Sequence, residues 1–186
     1  MQKDAASNSD RRSLYTKSLI KGSLLELLKT HSFTSISVTM LSETAGIGRN
    51  TFYRHYNNTF EALVASIDDA LSEIFAVFRY LGIGSEGQLS SLLAPFCEYV
   101  LNSDRYRIVF TDSELTSIII ERLIAFNDRQ FVTSTALKAS CTQQQAEAIV
   151  RFQAAGCLDL CNRYAHAGNE EWSSILAVLD AYAARL

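Results

Sequence analysis

Residues 37–58, SVTMLSETAGIGRNTFYRHYNN, contain the features that decide the fold of this chain. Ser37 is a good N-cap residue in front of an apolar periodic stretch, so a short helix is expected to begin there. The segment 45–48, AGIG, is typical of a tight turn. A second short helix is expected over 49–56, before the asparagine pair at 57–58. The stretch therefore predicts two short helices joined by a glycine turn.

Such a pair is typical of a helix-turn-helix, in which the first helix braces a second whose N-terminal residues enter the major groove of DNA. Ala45 and Gly46 supply a small residue where the helices cross and a glycine where the chain reverses. The apolar inner face is expected from Val38, Leu41, Ile47 and Phe52. The outward side chains of the second helix are suited to phosphates and base edges: Arg49, Asn50, Thr51, Tyr53, Arg54 and His55.

This stretch resembles the TetR family of regulators, whose pattern is T-V-x-x-I-A-x-x-A-G-V-S-x-G-T-L-Y-x-H-F. Here the sequence is S-V-T-M-L-S-E-T-A-G-I-G-R-N-T-F-Y-R-H-Y. The resemblance covers about residues 11–65. Residues 151–168, RFQAAGCLDLCNRYAHAG, are also similar to the penultimate helix of a TetR-like C-terminal domain common in Gram-positive regulators.

The resemblance implies a role for each residue of the motif. Thr51 and Tyr53 would contact phosphates, while Arg49, Asn50 and Thr39 would read bases. His55 would either contact a phosphate or cap and pack. The other residues expected at the DNA are Arg11, Arg12, Lys17, Ser37, Arg54 and Gly48, the last through backbone N–H groups at a helix start.

Three departures from the family pattern affect the expected DNA contacts. Asn50 stands where the family often has glycine, and Gly48 where it often has serine, so the operator of a relative cannot be transferred to this chain. Thr59 stands where many members have a lysine that holds a phosphate. Weaker binding is expected unless Arg11, Arg12, Lys17 or the helix N-terminus compensates.

The rest of the chain predicts an all-α protein of about nine helices. Its single proline and eight glycines favour long helices. Residues 1–10 are expected to be a disordered tail, 11–57 a three-helix DNA-binding domain, and 58–186 a helical regulatory and dimerisation domain. Apolar periodicity predicts helices over 14–29, 60–79, 88–101, 115–137, 143–166 and 172–186, with a linker at 82–87 and a short helix within 102–114.

The resemblance implies that the last two helices form a homodimer surface. The residues expected there are Gly156, Leu160, Tyr164, Trp172, Ile175, Leu179 and Tyr182, with the subunit core as the alternative for them. Family members often hold a small-molecule effector in the helical body. Aromatic residues that would line such a pocket, or else form a plain core, are Phe75, Phe78, Phe96, Tyr99, Phe110, Phe126 and Phe131.

Charge is distributed unevenly along the chain. Residues 1–60 carry eight Lys and Arg against four acidic residues, a net charge of +4, whereas residues 61–186 carry a net charge of −7. A basic head on an acidic body indicates that the head meets an anion such as DNA.

The four cysteines do not suggest a functional site from the sequence alone. Cys157 and Cys161 share a helix face, but only His166 follows them closely, so neither a metal site nor a cofactor is predicted. All four, including Cys97 and Cys141, are expected to be reduced core residues of a cytosolic protein, and a redox role has no specific support.

Other features exclude several classes of function. The polar N-terminus is not a signal peptide, and no apolar run is long enough to span a membrane, so a cytoplasmic protein is expected. No G-x-S-x-G, H-E-x-x-H or phosphate-binding glycine loop indicates an enzyme. We therefore expect a dimeric repressor on a palindromic operator. The alternatives are an activator or effector-independent regulator of the same fold, and a helical adaptor without specific DNA binding.

Overall fold

The computed structural model describes residues 3–81, 93–164 and 169–183. Within these ranges every regular element is helical, which confirms the predicted all-α class. Two short 3-10 turns, Phe33–Ser35 and Ser113–Leu115, accompany the α-helices. The α-helices are α1 Lys3–Leu28, α2 Val38–Thr44, α3 Arg49–Tyr53, α4 Thr59–Tyr80, α5 Leu93–Leu101, α6 Arg107–Phe110, α7 Thr116–Lys138, α8 Gln143–Arg163 and α9 Asn169–Ala183.

The chain divides into two compact units, Met1–Ile67 and Asp68–Leu186. The division falls inside α4, later than the boundary at residue 57 that the sequence predicts. The helix α4 begins at Thr59, just after the predicted boundary, and is continuous across the division between Ile67 and Asp68. The predicted linker at 82–87 lies outside the described residues.

The start of α1 is the clearest difference from the predicted helices. Residues 3–10, which the sequence predicts as a disordered tail, belong to α1. The first glycine is Gly22 and no proline precedes it, so nothing stops the helix from extending toward the N-terminus. Asp4 stands in the first turn, where a negative charge is favourable to the helix dipole.

The first unit is built around apolar side chains that are fully buried. Ile20 and Leu24 of α1 lie on the predicted stripe, and Leu41 of α2 and Phe52 of α3 are also without exposed surface. Burying a side chain of this size contributes about 1.5–3 kcal/mol. Of the inner face predicted for the helix-turn-helix, Leu41 and Phe52 belong to this core, whereas Val38 and Ile47 are half-buried.

In the second unit, α7 and α8 pack along each other. At their surface, Arg151 of α8 forms ion pairs with Glu121 of α7 at 2.7 Å and with Glu147 at 2.8 Å. The predicted single helix at 115–137 is present, but Asp128 and Arg129 have positive φ angles of 53° and 64°. Two consecutive non-glycine residues in the left-handed region mark a local irregularity within α7.

The aromatic residues predicted to line an effector pocket contact one another in this unit. Phe75 of α4 is central, with its ring centroid 4.9 Å from the centroids of both Phe126 and Phe131. Phe96 stacks on Phe75 at 6.5 Å. Further contacts join Phe78 to Phe75, Tyr99 to Phe78, and Phe110 to Phe96. Ring-to-ring contact of this kind favours the plain core that the sequence left as the alternative.

Candidate nucleic-acid interface

The first helix of the motif starts where the sequence predicts. Ser37 is the N-cap of α2, and its hydroxyl oxygen accepts a hydrogen bond from the backbone N–H of Met40 at 3.2 Å. The serine side chain thus supplies an acceptor for one of the backbone N–H groups that have no partner within the first turn of a helix. Thr39, a predicted base contact, is exposed on the same short helix.

A complete Schellman motif ends α2 and turns the chain toward α3. The N–H of Ile47 donates to the carbonyl of Ser42 at 3.0 Å, and the N–H of Gly46 donates to that of Glu43 at 3.1 Å. Gly46 has a φ of +65°, and a Cβ there would meet nothing within 4 Å. The conformation of Gly46, rather than crowding, is therefore what requires glycine.

The short helix α3 separates its side chains into a buried and an exposed face. Phe52 has no exposed surface, whereas Arg49, Asn50 and Arg54 are exposed. Tyr53 is 53% exposed although its ring makes an edge contact with Phe52, with centroids 5.7 Å apart. An exposed aromatic ring among polar side chains is typical of a binding surface.

Gly48 is the N-cap of α3, with an extended ψ of 149° and no side chain to cap the helix. Its carbonyl accepts from the N–H groups of Thr51, at 2.8 Å, and Phe52, at 3.1 Å. The side chain of Thr51 in turn accepts a hydrogen bond from the guanidinium of Arg54 at 3.2 Å. Two predicted DNA-contact residues thus hold each other in place on the surface of α3.

A positive cluster lies at the end of α3. Desolvation lowers the pKa of His55 below its usual 6.5, and the positive charges of Lys17 and Arg54 lower it further. The structure thus brings Lys17 of α1, a predicted DNA contact, into the electrostatic surroundings of α3. Arg11 and Arg12 are exposed on the preceding turns of α1.

A second turn, which sequence reasoning missed, holds the start of α4. The carboxylate of Glu61 accepts from the backbone N–H and the side-chain amide of Asn57, both at 2.8 Å. The N–H of Glu61 donates to the side chain of Asn58 at 2.9 Å. These hydrogen bonds from Asn57 lower the pKa of Glu61. The spacing N-x-x-E, a near relative of the capping box, was the signal for this turn.

The residues predicted for a dimer surface fall on α8 and α9 and differ in exposure. Gly156 is exposed, and a Cβ there would meet nothing within 4 Å, so no close helix contact within the described subunit explains this glycine. Leu160, Tyr164, Ile175 and Leu179 are half-buried. Trp172 is buried, with its ring centroid 5.8 Å from that of Tyr164, as expected of a subunit core. The side chain of Tyr182 lies outside the described residues.

Known proteins that are similar to this chain include a curated protein and a solved structure. No family model matches the chain. An uncharacterized HTH-type transcriptional regulator from Haemophilus influenzae is 24% identical over 148 residues, which cover 77% of this chain and 72% of the relative. The crystal structure of the TetR family repressor AlkX from Dietzia sp. strain DQ12-45-1b, implicated in biodegradation of n-alkanes, has a TM-score of 0.42 and 14% identity. That alignment covers 91% of this chain and 96% of AlkX.

The chain is therefore similar to a helix-turn-helix transcriptional regulator, the class of protein that residues 37–58 predict. This similarity and the observed α2–turn–α3 geometry agree on a helix-turn-helix. Of the helices that the structure describes, none combines the length and apolar character needed to cross a membrane.

The turn predicts different outcomes at its two glycines. Gly46→Ala should lower the free energy of opening of the first unit by about 1–2 kcal/mol, because alanine is strained at a φ of +65°. Gly48→Ala is the matched control: its φ of −75° suits any residue and a Cβ there meets open space, so it should lose only the preference of an N-cap for glycine over alanine, a smaller loss. Amide hydrogen exchange at Leu41 and Phe52 would measure both. Equal losses in the two variants would contradict this explanation of Gly46.

His55 predicts a pH dependence of stability. Its folded pKa lies below 6.5, so the unfolded chain binds more protons in the interval between the two values. The contribution of His55 to stability is complete above pH 6.5 and decreases as the pH falls through that interval.

An NMR titration of the imidazole C–H signals of His55 measures this pKa directly. Lys17→Ala should raise it, because one nearby positive charge is removed. Lys29→Ala, which removes a lysine just after α1 that pairs with Glu26, should leave the pKa of His55 unchanged. A His55 pKa of 6.5 or more in the unaltered protein would overturn the electrostatic assignment.

Proposed function

We propose that the chain is a dimeric transcriptional repressor that binds a palindromic DNA operator through the exposed face of α3. The observation that carries this proposal is the arrangement of α3 itself. The side chain of Phe52 is fully buried on one face of α3, while Arg49 and Asn50 are exposed in its first turn. In a helix-turn-helix the first turn of the second helix is the part that reaches base edges.

The chemistry of these two side chains suits sequence reading. An arginine can donate two hydrogen bonds to guanine, and an asparagine can form a bidentate pair with adenine. Each such pair contributes about 1–3 kcal/mol of discrimination between bases. Thr51, Tyr53 and Arg54 would contact phosphates and fix the register of α3 in the groove.

The charge of the first unit supports an electrostatic component. Residues 1–60 carry a net charge of +4, and Lys17 lies near the end of α3. Arg11 and Arg12 are exposed on α1, so several cations can face the DNA backbone. They can compensate for Thr59, which stands where many members of the family that the motif resembles have a lysine. Because bound phosphates release counterions, affinity should fall steeply as salt is added.

Dimerisation is supported by an apolar surface on α8. Phe152 is 81% exposed, Ile149 is 36% exposed, and Gly156 lies one turn further along with open space at its Cβ position. Single exposed apolar side chains are common on protein surfaces, but an apolar patch that extends over two turns of one helix is a feature of interfaces. A second copy of α8 could approach closely at Gly156, and two-fold symmetry would present two α3 helices to the two halves of a palindrome.

The sign of regulation and the effector belong to the same proposal. Repression is the usual activity of regulators that the motif resembles. Release of the protein from the operator by a small molecule would distinguish an effector-controlled repressor from an effector-independent regulator. The aromatic cluster around Phe75 is where the sequence predicts such a molecule, and that prediction stays open to the same binding assay.

DNA recognition is tested by selecting bound sequences from random duplex DNA at two salt concentrations. A palindromic consensus should emerge, and Arg49→Ala should relax one position in each half-site, with a loss of about 1–3 kcal/mol at that position. Lys29→Ala removes the same charge from an exposed residue that follows α1 and lies outside the predicted interface. It should leave the consensus unchanged. No enrichment over background with the unaltered protein would favour the helical adaptor instead.

The dimer surface is tested by placing a charge at its centre. Phe152→Glu should shift the protein toward monomer in sedimentation experiments, because a buried unpaired carboxylate is strongly unfavourable in an apolar interface. Leu137→Glu is the matched control: Leu137 of α7 is 77% exposed and outside the predicted surface. A dimer that persists in Phe152→Glu, or dissociates equally in Leu137→Glu, would show that α8 is not the interface.

A further inference from the structure

Three cysteine thiols meet in the core of the second unit. Cys97 lies on α5, and Cys157 and Cys161 lie on α8. Their sulfur atoms are all within 4.8 Å of one another, and all three residues are buried. The fourth cysteine, Cys141, lies between α7 and α8 and is not part of this group, which we term the three-thiol cluster.

The fold, rather than the local sequence, assembles this cluster. Cys157 and Cys161 are four residues apart and so share one face of α8. Cys97 comes from 60 residues earlier, and its sulfur is 2.6 Å from that of Cys157. The sequence predicted no metal site because only two cysteines and one histidine were near one another along the chain. Packing of α5 against α8 supplies the third sulfur.

We propose that the three-thiol cluster binds one soft monovalent metal cation, Cu(I), with Cys97, Cys157 and Cys161 as its ligands. Thiolate–metal bonds of about 2.3 Å around a single ion separate the sulfurs by about 4 Å. The three sulfurs lie within 4.8 Å of one another, and the Cys97 and Cys157 sulfurs, now 2.6 Å apart, would have to move apart to reach that spacing. Thiolates are the ligands that select soft ions, Cu(I) among them.

The number of ligands favours Cu(I) over zinc. Structural zinc sites are almost always tetrahedral with four protein ligands. Within the part of the chain that the structure describes, no fourth histidine, cysteine or carboxylate joins the cluster. Cu(I) accepts three sulfur ligands, and the buried location keeps water from the ion.

Binding involves no change of oxidation state. Cu(I) remains Cu(I), and each thiol that coordinates it loses its proton to solvent. The bound ion would join α5 to α8 through sulfur. All three ligands lie in the unit Asp68–Leu186, so the site does not depend on the proposed DNA binding. Failure of either proposal leaves the other intact.

The test titrates the full-length, fully reduced protein with Cu(I) under anaerobic conditions against a competing Cu(I) chelator. One equivalent should bind per chain, with a near-ultraviolet thiolate-to-copper absorption band. X-ray absorption should show three sulfur neighbours at about 2.3 Å. Cys97→Ser, Cys157→Ser and Cys161→Ser should each weaken binding at least tenfold, whereas Cys141→Ser should bind as the unaltered protein does.

A serine in the core can disturb folding, so Cys97→Ala, Cys157→Ala and Cys161→Ala are measured in parallel, with circular dichroism to confirm helix content. Folded alanine variants that bind Cu(I) normally would overturn the proposal. So would loss of binding in Cys141→Ser, or tighter binding of Zn²⁺ than of Cu(I). Absence of Cu(I) uptake, with or without a Cys97–Cys157 disulfide found by mass spectrometry after air oxidation, would likewise overturn it. Those last results would indicate a redox pair or ordinary core cysteines.

Discussion

The chain reverses direction at Gly46, between the buried side chains of Leu41 in α2 and Phe52 in α3. The positive φ of Gly46 closes the Schellman hydrogen bonds to Ser42 and Glu43, and these set the direction in which α3 leaves the turn. With Phe52 buried, the rotation of α3 about its own axis is determined, and Arg49 and Asn50 are left on the opposite face. A single backbone conformation thus controls which side chains the molecule can offer to DNA.

Charge is also distributed unequally between the two parts of the chain. Positive charge is concentrated in the first 60 residues, where Lys17 and Arg54 depress the pKa of His55. The second unit is acidic overall, and several of its arginines form ion pairs, as Arg151 does with Glu121 and Glu147. Because of its net negative charge, the acidic body would repel a polyanion while the basic head attracts it. This arrangement favours an orientation in which only the head approaches DNA.

Local patterns were sufficient to predict much of the first unit. Ser37, the turn at Gly46 and the buried Phe52 each follow from residue type and spacing over a few positions, which is the range in which caps, turns and helix periodicity operate. The polar composition of residues 3–10 predicts disorder, but these residues belong to α1. The segment contains no glycine or proline that would break a helix. The turn held by Glu61 also has a local signal, the N-x-x-E spacing of Asn58 and Glu61.

The second unit was less predictable because its important contacts are distant in sequence. The aromatic residues around Phe75 were recognised as a group, but periodicity cannot distinguish rings that fill a core from rings that line a cavity. Cys97 and Cys157 are 60 residues apart, and no spacing rule connects them. Likewise, neither residue type requires the positive φ angles of Asp128 and Arg129 within α7, so no local pattern predicts them.

The exposed ring of Phe152 has a consequence for how such a protein would respond to its own abundance. If burial of this ring drives pairing, the amount of paired protein rises with the square of the concentration of single chains when pairing is weak. Association also stabilises the folded chain by mass action. A modest change in synthesis rate would then produce a larger change in operator occupancy, so one exposed side chain on α8 would set how sharply the regulated genes respond to regulator dosage.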